Sequence, residues 1–81
     1  MMELENQVLT FLEKNPDKSF TIVEIANATY RIEITSKNFL QNYSKIWDVV
    51  GVLNSLFKKG KVDMKVLDSK KAICFQIKSG G

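Results

Sequence analysis

The sequence predicts an α+β domain in which three helices precede a C-terminal β-hairpin. Apolar residues recur at helical spacing as far as Phe57, and they alternate with polar residues from Val62 to Ile77. Gly60 stands where the first period gives way to the second, at a position that suits a helix stop.

The first helix is expected from about Glu3 to Lys14. Leu4, Val8, Phe11 and Leu12 form its apolar stripe, Leu9 widens it, and Pro16 ends it because the residue before a proline avoids the α region. The second helix is expected over residues 22–30. Thr21 is its N-cap, and Glu24, three positions on, completes a capping box. Phe20 and Ile25 occupy the two positions of a hydrophobic staple, and the short stretch Lys18-Ser19-Phe20 can pair as an edge strand. Ile32 and Ile34 alternate with polar residues, as in a strand or an extended turn. The third helix then starts near Ser36, or near Asn42 after a separate turn. Ile46, Val49, Val50, Leu53, Leu56 and Phe57 are its core stripe, and Lys58 and Lys59 suit the negative end of its dipole. In the hairpin, Val62, Met64 and Val66 share a face with Ile73, Phe75 and Ile77, and Asp68-Ser69-Lys70-Lys71 supplies turn chemistry. Cys74 is expected on the outer side of the hairpin or under the first helix. Leu12, Ile25, Val50, Leu53, Phe57, Val62 and Phe75 are the expected core.

This order is that of a winged helix: a three-helix helix-turn-helix core with a C-terminal β-hairpin wing. With 81 residues the chain has room for one domain, expected over residues 1–78, with 79–81 as a flexible tail. The terminal Gly80-Gly81 resembles the end of ubiquitin-like modifiers, but those begin with a hairpin and this chain is expected to begin with a helix.

Composition narrows the function. One cysteine and no histidine cannot make an intrachain disulfide, a His/Cys zinc site or a Ser-His or Cys-His pair. The acids are scattered, so no enzyme, cofactor, metal or small-molecule substrate is expected. No run of about 18 apolar residues suggests a membrane span, and the acidic start lacks a secretion-signal pattern, so an intracellular location is expected: cytoplasmic or nucleoid, or nuclear in a eukaryote. Charge is uneven. Residues 1–48 carry 5 basic and 7 acidic side chains; residues 49–81 carry 7 and 2. A positive C-terminal third suits an acidic partner.

In a helix-turn-helix the third helix is the one that enters the major groove, and a basic wing reaches the adjacent backbone. With the core stripe inward, Ser44, Asp48, Gly51, Ser55 and Lys58 are expected to face out, with Lys45 and Val52 on one flank and Trp47 and Asn54 on the other. Lys58, Lys59 and Lys61, with Lys65, Lys70 and Lys71 on the wing, are candidates to hold phosphates. Trp47 is expected to pack on the domain. The alternative function is a protein-interaction winged helix within a larger transcription, replication or repair assembly, or a homodimer through helix 1 or helix 3. In that reading Trp47, Gly51 and Val52 are the contact.

The stretch Ser44-Lys45-Ile46-Trp47-Asp48, followed by Gly51-Val52-Leu53 and the strand after Lys61, resembles the recognition helix of the dimerisation-partner (DP) cell-cycle transcription factors and their heterodimer mates. Those proteins carry two arginines, any residue, Tyr-Asp, then Asn-Val-Leu, then a strand with a lysine. Trp47-Asp48 stands for the Tyr-Asp and Val52-Leu53 for the Val-Leu. The resemblance implies a winged helix that binds duplex DNA in transcription or replication. The base-reading arginines of that family are Ser44 and Lys45 here, and its asparagine is Gly51, which implies binding dominated by phosphate contacts.

Overall fold

The computed structural model describes residues 3–78; the expected tail at 79–81 lies outside them. Helix α1 spans Leu4–Lys14, strand β1 Phe20–Thr21, α2 Ile22–Tyr30, α3 Tyr43–Lys58, β2 Val62–Leu67 and β3 Ala72–Ile77. The strands form one antiparallel sheet in the order β1-β3-β2, so β1 and β2 are its edges. Three helices and a three-stranded sheet make an α+β domain whose layout is compatible with a winged helix. No helix of the described residues is long and apolar enough to cross a membrane.

Helix α2 begins where the capping box places it. The Glu24 amide donates to Thr21 Oγ1 at 3.1 Å, and the Thr21 amide donates to Glu24 Oε1 at 2.9 Å, which satisfies two of the donors a helix start leaves open. Helix α2 ends on Arg31 in the left-handed region (φ 57). The following segment is neither strand nor helix. Asparagines fold it: Asn27 Oδ1 accepts from the Ile34 amide at 2.9 Å, Asn38 Oδ1 accepts from the Thr35 amide at 2.7 Å, and Asn38 Nδ2 donates to the Glu33 carbonyl at 2.9 Å. Ile34 drops from this loop into the core. A short 3₁₀ turn, Leu40–Asn42, then leads into α3, so the later of the two expected starts is the observed one.

The core joins Val8 and Leu12 of α1, Ile25 and Ala26 of α2, Val49, Leu53 and Leu56 of α3, and Val62 and Phe75 of the sheet. Two expected members depart from this. Val50 is half-buried, and Phe57 is 45% exposed, because the buried arc of α3 is centred on Val49, Leu53 and Leu56 and leaves both residues on one side. Cys74 is buried opposite Lys65 and Thr21, on the sheet face away from Phe75.

The end of α3 is a Schellman turn. The Gly60 amide donates to the Phe57 carbonyl (3.0 Å), and the Lys61 amide donates to the Leu56 carbonyl (2.9 Å), with Gly60 at φ 75. That reversal delivers Val62 to the core. The strand register follows: Val62 faces Ile77, Met64 faces Phe75 and Val66 faces Ile73, as the alternation predicts. At the tip, Lys71 takes the left-handed conformation (φ 50), and its amide donates to the Leu67 carbonyl at 2.8 Å.

No atom lies within 4 Å of a Cβ added at Gly60, so the cost of Gly60→Ala is purely conformational. It is expected to destabilise the domain by about 1 kcal/mol. Thr21→Ala, which removes the cap of α2, is expected to cost about 1 kcal/mol as well. Urea unfolding followed by circular dichroism measures both; no change for Gly60→Ala would contradict the role given to this turn.

Candidate nucleic-acid interface

One row of side chains runs along the solvent side of α3. Tyr43, Trp47, Gly51, Asn54 and Lys58 follow one another at spacings of three or four, and all five are exposed. Ser44 and Asp48 lie beside the row and are exposed as well. Near the middle, nothing lies within 4 Å of a Cβ placed on Gly51, so the helix backbone itself is open there.

Four of the expected site residues take other positions. Ser55 turns toward α1, where its hydroxyl meets Glu5 Oε1 at 3.3 Å. Lys59, one turn on, donates to both Glu5 oxygens at 3.2 and 3.1 Å. Lys70 folds back from the hairpin tip to Glu24 Oε1 (2.8 Å) and the Ser19 carbonyl (3.0 Å), with its ammonium 5.7 Å from the centre of the Phe20 ring. Lys45 is half-buried, its ammonium 5.9 Å from the centre of the Tyr30 ring. These side chains tie elements of the fold together. Lys58, Lys61, Lys65 and Lys71 are exposed and make no ion pair among the described residues. They do not lie on one surface: Lys65 projects from the sheet face opposite the one that carries Val62 and Met64, whereas Lys58 lies on the solvent side of α3.

Val52, expected on an exposed flank, is half-buried and packs against the core. Trp47, expected to pack on the domain, is 56% exposed. The cause is its neighbours. Its ring meets Tyr43 edge-on with centroids 5.8 Å apart, and Tyr43 meets Phe39 in the same manner at 6.1 Å, so the indole is held by an aromatic run on the surface instead of by the core. Leu40, in the turn before α3, is 85% exposed. The sequence marks Phe39, Leu40 and Tyr43 as part of the helically spaced stripe leading into α3, but not as site residues. The signal for Tyr43 was its spacing of four from Trp47.

The ionisable groups respond to these contacts. The hydrogen bond from Lys59 holds the Glu5 carboxyl below its ordinary range, against the opposing effect of burial. Burial acts to raise Glu24, but Lys70 and the Thr21 amide outweigh it, and the net shift is downward. Burial, with the Asp48 carboxylate, raises the Tyr30 hydroxyl. Comparison with family models, with curated proteins and with solved structures gave no match.

Glu5 and Glu24 both titrate below 4.5 when folded, so they favour the folded state above that pH, and their contribution is lost as pH falls through the folded values. The urea midpoint is therefore expected to drop as pH is lowered from about 6 to about 3. The double variant Glu5→Gln/Glu24→Gln should show a shallower drop, since glutamine still serves the capping box. An identical pH profile for variant and native chain would contradict this account of the two ion pairs.

Proposed function

We propose that this chain is a winged-helix protein that binds duplex DNA, in transcription or replication, by laying the Tyr43–Lys58 row of α3 in the major groove. The observation that carries the reading is the open centre of that row. Gly51 has empty space where a side chain would stand, so the backbone of α3 can come close to base edges. Asn54, exposed three positions on, has the paired donor and acceptor that match an adenine edge. Lys58 and Lys61 stand at the end of the helix as phosphate contacts, with Lys71 at the hairpin tip as a third, whereas Lys65 lies on the far face of the sheet. Asp48, beside the row, disfavours phosphate on its own side and so helps fix the orientation.

A second reading rests on a different observation. The Phe39–Tyr43–Trp47 run with Leu40 is a surface of the kind that anchors protein partners, where aromatic residues carry a large share of binding energy. In that reading the domain is an interaction module in a larger nucleic-acid assembly.

With about three phosphate contacts, the logarithm of DNA affinity should fall with the logarithm of salt at a slope of about −3, or roughly 40-fold between about 50 and 200 mM salt. Lys58→Ala/Lys61→Ala should reduce the slope to about −1, whereas Lys59→Ala, whose side chain is committed to Glu5, should leave it unchanged. Absence of binding to any duplex at low salt, or equal effects of both changes, would refute the DNA reading. Leu40→Ser separates the alternatives: it should weaken a protein complex and leave duplex binding as it was.

A further inference from the structure

Strand β2 is an edge of the sheet that pairs with β3 alone, and its defence against another strand is limited to the charges of Asp63 and Lys65. Residues Asp63 to Val66 are all exposed, and the strand has no proline. Natural edges are normally blunted, because a row of free amides and carbonyls is a template for another strand. The direction of these groups is fixed by the pairing with β3. The Lys78 amide donates to the Lys61 carbonyl at 3.0 Å, which makes Lys61–Lys78 a hydrogen-bonded pair of the antiparallel ladder. Hydrogen-bonded and open pairs alternate, so Asp63 and Lys65 also turn their polar groups toward β3, and Val62, Met64 and Val66 turn theirs toward the free rim.

We propose that two copies of this chain associate through the β2 edge, antiparallel about a two-fold axis at Met64, so that two three-stranded sheets become one of six strands. Three properties of the strand fit this arrangement. First, the hydrogen bonds are in phase: Met64 meets Met64 of the other copy, and Val62 meets Val66, each with amides and carbonyls pointing across the join. Second, the charges match, since Asp63 of each copy falls opposite Lys65 of the other on the outer face. Moving the axis to Asp63 or to Lys65 keeps the hydrogen-bond phase but sets two aspartates or two lysines face to face, and moving it to Val62 or Val66 leaves little of the Val62–Leu67 strand paired, so charge and paired length together select Met64. Third, the inner face gains an apolar row. Val66 is 69% exposed and Met64 44%, and the join places each next to apolar side chains of the second copy. This association is independent of whether α3 binds DNA.

Sedimentation equilibrium of the full chain, without DNA, tests the proposal. The apparent mass should rise with concentration from 9.2 kDa toward twice that value. Asp63→Lys and Lys65→Asp each oppose like charges at two positions and should weaken association by about ten-fold or more. Both positions are exposed, so circular dichroism should show each variant folded. Mixed in equal amounts, the two variants restore opposite charges at both positions and should associate again. A native chain that stays monomeric up to about 1 mM, single variants that associate as the native chain does, or a mixture that does not recover would each overturn the proposal.

Discussion

Most of the molecule depends on how α3 ends. Gly60, in the left-handed region, lets the amides of Gly60 and Lys61 reach back to the Phe57 and Leu56 carbonyls. The last turn of the helix is thereby satisfied, and the chain reverses without a loose loop. Val62 therefore arrives beside Leu56 in the core, and its inward position determines every later side of β2. With Val62 in, Met64 and Val66 share its face, Asp63 and Lys65 take the other, and the rim that faces solvent carries the amides of Val62, Met64 and Val66. The same helix stop also orients the solvent side of α3 relative to the sheet.

Two long-range ion pairs complete the frame, and they change what the lysines are for. Glu5 on α1 collects Ser55 and Lys59 from the last turns of α3, and Glu24 both caps α2 and receives Lys70 from the hairpin tip. Each pair is partly exposed and adds little stability by itself. Their larger effect is on the field of the C-terminal third. Two of its seven cations are already balanced, which leaves Lys58, Lys61, Lys65, Lys71 and Lys78 without an ion pair among the described residues. Attraction to any acidic partner would thus be set by fewer charges than the composition suggests.

What could be read from the sequence was the local chemistry. Pro16, the Thr21–Glu24 box, the stop at Gly60 and the change of period each act within a few residues, and the end of α1, the start of α2 and the start of the hairpin follow from them. The loop from Arg31 to Phe39 was harder, because its form depends on Asn27 and Asn38 side chains bonding to backbone, which the alternation of Ile32 and Ile34 does not reveal. Ser55 and Lys59 could not be assigned from a helical wheel, since their partner is about fifty residues away on α1. Trp47 was misplaced for a related reason: residue type favoured burial, while the surface neighbours Tyr43 and Phe39 provided the alternative packing. For the candidate interface, Gly51 and Lys58 were legible as outward positions, whereas the exposed run from Phe39 to Trp47 emerged only from the packing.

A fold of this kind serves many functions, so the face of α3 has to decide. The most direct measurement is amide chemical-shift mapping of the isotopically labelled chain titrated with duplex DNA at low salt. The account predicts shifts concentrated at Ser44, Gly51, Asn54 and Lys58, continuing to Lys61, with the amides of α1 little affected. Shifts confined to the sheet or to α1, or no shifts at saturating DNA, would contradict it.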